Sequence, residues 1–291
     1  MRISEILRQN RPIFSFEFFP PKTPEGEALL FRTLHELKPL RPAFVSITYG
    51  AGGSERRKTA LWAKRIQEEV GLTAMAHLTC VGHTREELKA ILEEYRAAGI
   101  ENVMALRGDP PRGAAVFQPV EGGFRYAAEL VAFIRAEFGG AFDLAGGAYP
   151  EGHPEAVSLE ADLHHLKAKV EAGLDFLVTQ LFFNNALYFG FLERARRVGI
   201  GVPILPGLMP ITDLAQIRRF MDLCGASIPG PLLSRLERAR SPEEVLEIGV
   251  EHTTRQAQEL LAAGVPGLHL YTLNKSPATR RVVENLQTVL R

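Results

Sequence analysis

IFSFEFFPPKTPEG (13–26) is a short apolar run that ends in prolines and passes straight into a helical pattern. A dinucleotide-binding βαβ unit would place a GxGxxG turn there, and none is present; no P-loop follows any later run either. Seven further runs share this texture: AFVSITYG (43–50), TAMAHLTC (73–80), NVMALRG (102–108), DLAGGAYP (143–150), FLVTQLFF (176–183), VPILPGLM (202–209) and GLHLYTLN (267–274). They are nearly continuously apolar rather than alternating, as parallel strands covered on both faces are. Helical patterns separate them, over roughly 25–38, 54–70, 84–98, 124–138, 158–172, 185–197, 241–264 and 277–290. In 84–98, Leu88, Ile91, Leu92 and Tyr95 share one face, Thr84 and Glu87 form a capping-box pair, and Gly99 is a stop. Eight strand–helix units predict a closed (β/α)8 TIM barrel, α/β class, over 1–291 as a single domain; an open doubly wound sheet is the alternative.

Composition removes several classes of function. Lys+Arg and Asp+Glu each total 34, so no global field recruits nucleic acid or an anionic membrane surface. No apolar run reaches the roughly 18 residues of a membrane span, and MRISEILRQN lacks the apolar core of a signal peptide. A cytoplasmic location is expected. Cys80 and Cys224 are far apart and belong to no metal-ligand spacing, so neither a disulfide framework nor a metal site is expected.

Polar residues gather at the strand ends, where barrel enzymes build their sites. They are Glu17, Thr48 with Tyr49, His77, Arg107-Gly108-Asp109, Tyr149, Gln180, and Asn274-Lys275. Each has a plain structural alternative: an ion pair for Glu17 or for Arg107 with Asp109, a satisfied core histidine for His77, packing for the tyrosines. Gln180 stands among apolar residues, where an unpaired amide is costly and a ligand or core partner must satisfy it. GAGGS (50–54) brings bare backbone N–H groups to a helix start. In YPEGHPEAVSLEADLHHLKAK (149–169), Asp162, His165 and Lys169 share a helical face suited to a sugar and a diphosphate, or simply to solvent. Two long stretches, 109–123 and the segment after strand seven, also follow strand C-termini.

FSFEFFPPKT, SITYGAGG, ALRGD, AYPEGHPEA, VTQLFF and LYTLNK, in this order from residue 14 to 275, resemble the compact bacterial type of methylenetetrahydrofolate reductase. The resemblance implies noncovalent FAD at the barrel's C-terminal face, and NADH or NADPH as hydride donor. It further implies ping-pong reduction of 5,10-methylenetetrahydrofolate to 5-methyltetrahydrofolate, which supplies methyl groups for methionine synthesis. Small molecules and further copies of the chain, in a homo-oligomer, are the partners it implies. Glu17 then corresponds to the general acid and Asp109 to a carboxylate near flavin and folate. Thr48, Tyr49, Ala51, His77, Arg107, Gly108, Asp109, Ala127, Tyr149, His153, Ala156, Asp162, His165 and Lys169 correspond to the FAD set. Glu17, Thr48, Gln180 and Lys275 correspond to substrate contacts. The chain departs from the family pattern at His165, Ala168, Leu214 and Lys275. Phe14, Phe16, Phe18 and Phe19 around Glu17 predict an apolar setting that raises its pKa by desolvation. Other readings of the same pattern are a different flavin barrel acting on a C–N bond, a Schiff-base lyase using Lys275 or Lys22, and a noncatalytic binding barrel.

Overall fold

The computed structural model describes residues 1–9, 11–49, 56–110 and 117–289. All eight apolar runs form strands: β1 (Ile13–Phe18), β2 (Phe44–Ile47), β3 (Ala74–Thr79), β4 (Asn102–Leu106), β5 (Asp143–Ala148), β6 (Phe176–Thr179), a divided β7, and β8 (Gly267–Tyr271). Every neighbouring pair is parallel, in the order 1 to 8, and β8 pairs with β1 to close the ring. The seventh strand is split by Pro206, which has no N–H to give a ladder. Its first piece, Ile204–Leu205, pairs with β6, and its second, Gly207–Leu208, pairs with β8. The Pro206 carbonyl still accepts from the His269 N–H at 3.0 Å, so the ring is continuous through the break. This is the TIM barrel; the open sheet is excluded.

The helices are α1 (Ile3–Leu7), α2 (Pro24–Leu37), α3 (Arg56–Arg65), α4 (Arg85–Ala97), α5 (Ala127–Phe138), α6 (Leu159–Glu171), α7 (Asn185–Arg197), α8 (Leu214–Cys224), α9 (Gly230–Arg238), α10 (Pro242–Ala262) and α11 (Pro277–Val289). Three of them, α8 to α10, fill the long segment after β7. The capping box predicted for α4 is present: Thr84 Oγ accepts from the Glu87 N–H at 3.2 Å, and the Glu87 carboxylate accepts from the Thr84 N–H at 3.0 Å. Thr84→Ala is expected to cost about 1 kcal/mol, read as a lower denaturant midpoint with an unchanged slope.

Successive strand side chains point to opposite faces. Phe16, Phe18, Val45, Ile47, Ala76 and Leu78 therefore face outward and pack under the helices in the main core. Ile13, Phe44, Met75, Met104, Ala145, Phe176, Val178 and Leu205 form a second cluster, which fills the barrel interior. The short α1, which the sequence pattern did not suggest, adds Ile3, Ile6 and Leu7 to that cluster and plugs its lower end. Its leading amides find acceptors inside the barrel: Ile3 N–H on Asn102 Oδ1 (3.0 Å) and Ser4 N–H on Asp143 Oδ2 (2.7 Å). Among the described residues no helix is long and apolar enough to cross a membrane.

Candidate active site

Above the apolar plug the inward positions turn polar. Counting by twos from Ile13 reaches Ser15 and Glu17; the cross-strand register sets Ser46 beside Glu17, and His269 and Tyr271 beside Ser15 and Glu17 on the other flank. The Glu17 side chain is 13% exposed. One of its oxygens, Oε2, accepts from Ser46 Oγ at 3.3 Å and lies 3.4 Å from both His269 Nε2 and His77 Nε2. His269 is braced from behind, its Nδ1 being 2.8 Å from Ser15 Oγ. His77 Nε2 is buried and has no hydrogen-bond partner among the described residues.

The expected pKa shift of Glu17 is corrected by this geometry. Burial does push the carboxyl up, but the His269 hydrogen bond, the nearby His77 and His269 rings and the Ser46 hydroxyl outweigh it, and the carboxyl is held below its ordinary value. The phenylalanines are not its surroundings: Phe16 and Phe18 lie on the outer face of β1, Phe14 packs against the same outer core, and Phe19 is exposed. Burial lowers the pKa of His77, against the pull of Glu17. The sequence reading missed Ser15, Ser46, His269 and Tyr271. Counting by twos along β1 and β8 from Glu17 is the signal that finds Ser15 and pairs His269 with Tyr271.

Around this acid the mouth is lined from neighbouring strands. The Tyr271 hydroxyl donates to the Thr179 carbonyl at 2.7 Å, and its ring stands edge-on to His269. Gln180 follows β6; its Oε1 accepts from the Leu181 N–H at 2.9 Å, which leaves its Nε2 donors without a partner among the described residues. Thr48, at the end of β2, is partly buried. Tyr49 has the opposite parity and leaves the mouth: its ring joins the outer core and its hydroxyl meets His83 Nε2 at 2.9 Å. Its side chain is thus a packing element, and only its backbone is available to a ligand.

A second group lies across the mouth, on the turns after β4 and β5. The Arg107 guanidinium is bidentate on Glu155 (2.6 and 2.7 Å), and Phe117 covers its face. Gly108 has φ of +88°, and a Cβ there would lie 2.6 Å from Val81, so the turn needs glycine. Asp109 is exposed. The Tyr149 ring stacks edge-on against His153 at 4.7 Å, and burial, with Asp109 and Asp162 nearby, raises its pKa to about 12. Asp162 accepts from the His153 N–H (3.2 Å). Lys169 donates to the Gly147 carbonyl at 2.6 Å; burial lowers its pKa to about 8, against the pull of Asp162. Ala127 opens α5 and Ala156 is partly buried. His165 and Lys275 are exposed, apart from these contacts, and Ala51 lies outside the described residues. Leu214, at the start of α8, packs into a third apolar cluster beneath the segment after β7.

The mouth fits a large aromatic cofactor with an anionic tail on three counts. His77 Nε2 is buried and makes no hydrogen bond among the described residues, with only Glu17 Oε2 3.4 Å away. Lys169 is a buried amine whose pKa burial lowers to about 8, so a neighbouring anion would further favour its charged form. Arg107 offers a planar fork that matches phosphate as well as carboxylate.

A family model described as methylenetetrahydrofolate reductase matches residues 2–287. The chain is 38% identical over 273 residues to the 5,10-methylenetetrahydrofolate reductase of Salmonella typhimurium, covering 94% of this chain and 90% of that one. It is 39% identical over 295 residues to methylenetetrahydrofolate reductase (NADH) 1 of Arabidopsis thaliana, and spans about half the length of that plant relative (98% and 50% covered). Among solved structures, an uncharacterized Clostridium thermocellum protein that binds two copies of 5-methyl-5,6,7,8-tetrahydrofolic acid shares the fold. Its TM-score is 0.66 at 17% identity, with 98% of this chain and 97% of that one covered.

Proposed function

Because the chain belongs to the methylenetetrahydrofolate reductase family, we propose that it reduces 5,10-methylenetetrahydrofolate to 5-methyltetrahydrofolate, using noncovalent FAD and hydride from NADH or NADPH. The observation that carries this reading is a nearly buried carboxyl, Glu17, at the barrel mouth, with amide donors on Gln180 after β6 uncommitted among the described residues. Bound FAD, held by Arg107, His153 and Lys169, would supply a two-electron relay between nicotinamide and folate at one shared pocket. That arrangement needs no separate Rossmann site, in keeping with a first strand that ends in prolines.

The chain's own task is proton delivery and charge control. Opening the folate's five-membered ring to an electrophilic iminium requires a proton on the departing nitrogen, and Glu17 is the donor we assign. In the free site this carboxyl is ionised at neutral pH. A flat ligand closing the mouth strips the remaining water from it and shifts the balance toward the protonated form, as a general acid needs. Gln180 Nε2 donates to the substrate. Asp109, exposed on the turn after β4, supplies negative charge toward the cationic iminium and against extra negative charge on the flavin. Arg107, His153 and Lys169 hold the diphosphate. Association into a homo-oligomer, a cytoplasmic location and a role in supplying methyl groups belong to the same reading.

The direct test is purification without added cofactor. The protein is expected to be yellow, to bleach anaerobically with NADH or NADPH, and to regain colour with methylenetetrahydrofolate. A colourless protein that takes up no added FAD refutes the proposal. A second test addresses Asp109: Asp109→Asn is expected to slow the folate half-reaction more than the nicotinamide one and to raise the flavin potential. An unchanged potential in a spectroelectrochemical titration removes the electrostatic part of its role.

A further inference from the structure

One contact at the mouth stands where the assigned cofactor's diphosphate would be held. Glu155 meets Arg107 with both carboxylate oxygens, Oε2 on Nη1 at 2.6 Å and Oε1 on Nη2 at 2.7 Å. This is the fork-to-fork geometry that a phosphate's two oxygens would also take. Two anions cannot occupy one side of a guanidinium together. The partners differ in how firmly they are held. Arg107 is 21% exposed, donates from Nε to the Gly108 carbonyl at 3.3 Å and lies under the Phe117 ring. Glu155 is 49% exposed, and nothing but Arg107 engages its carboxylate among the described residues. Its backbone N–H is fixed on His153 Nδ1 at 3.1 Å, so the side chain can turn to water without moving the loop. A half-exposed carboxylate gives up little by leaving, because water replaces a weak exposed ion pair, whereas an anion arriving beside an unreleased carboxylate is repelled.

We propose that Glu155 is a place-holding anion, which keeps the Arg107 fork aligned in the ligand-free chain and gives it up to the diphosphate of the incoming dinucleotide. This rests on the mouth being the FAD site. Glu155 then sets how tightly and how quickly the cofactor is taken up, while the chemical step is left to other residues.

The test is fluorescence titration of the flavin-stripped full chain with FAD and, as a phosphate-free probe, riboflavin. Glu155→Gln removes the competing charge and is expected to tighten FAD binding by about tenfold, with riboflavin affinity unchanged. In an Arg107→Met background the same substitution is expected to give no gain. Unchanged or weaker FAD binding by Glu155→Gln overturns the proposal, because Glu155 would then only orient Arg107. A matching gain for riboflavin overturns it as well. Wild-type binding of FAD without a gain in the variant defeats this inference alone. Failure of both proteins to bind FAD removes the cofactor assignment together with it.

Discussion

Glu17→Gln is expected to slow the folate half-reaction by about 10²- to 10⁴-fold, the usual worth of a positioned acid, while flavin binding and oxidation of NADH or NADPH persist. Glutamine matches the carboxyl in shape and can still accept from Ser46, and His77 and His269 remain around it. What it cannot do is give up a proton at neutral pH. Transfer from nicotinamide to flavin needs no acid, so only one of two half-reactions should suffer. Stopped-flow measurement of flavin reduction and reoxidation separates them. Equal slowing of both would mean that Glu17 holds the mouth in shape and is no acid.

Gly249→Ala is expected to destabilise the fold by about 3 kcal/mol, although glycine to alanine within a helix ordinarily stabilises by about 1 kcal/mol. The sign reverses because α10 runs directly over the backbone that follows β7. A Cβ on Gly249 would sit 1.9 Å from the Ile211 carbonyl oxygen and 2.7 Å from its carbon. These are main-chain atoms, with no flexible side-chain end to yield. Urea unfolding should show a lower midpoint with unchanged slope, and a midpoint equal to wild type would mean that the two segments part easily.

The barrel was legible because both faces of each strand are covered. IFSFEFFP and its seven successors read as continuous apolar runs, and each became a strand of the ring. The same continuity hid which residues face inward. Thr48 and Tyr49 look equivalent in sequence, yet one ends the inward row and the other hydrogen-bonds His83 in the outer layer. The four phenylalanines around Glu17 in sequence point to a greasy pocket, but adjacency in sequence is not adjacency in space. In a strand the next residue is on the other face, and the real neighbours, His77 and His269, come from β3 and β8. No local pattern announces contacts made across a closed ring. The plug was illegible for another reason: α1 is five residues long, too short to show a period, and its leading amides are satisfied by Asn102 and Asp143 rather than by a cap of its own.

At the seam where the ring closes, the Asn274 side chain accepts from the Phe19 N–H at 2.8 Å and donates to the Phe19 carbonyl at 3.0 Å. It reads main chain only, and the Phe19 ring points into solvent, 42% exposed. Tolerance to mutation should therefore be lopsided across this clasp. A randomised library selected for folding would admit most amino acids at 19, excluding proline for want of an N–H. At 274 it would keep asparagine, which alone combines a two-way amide with ease in a left-handed backbone, here at φ +59°.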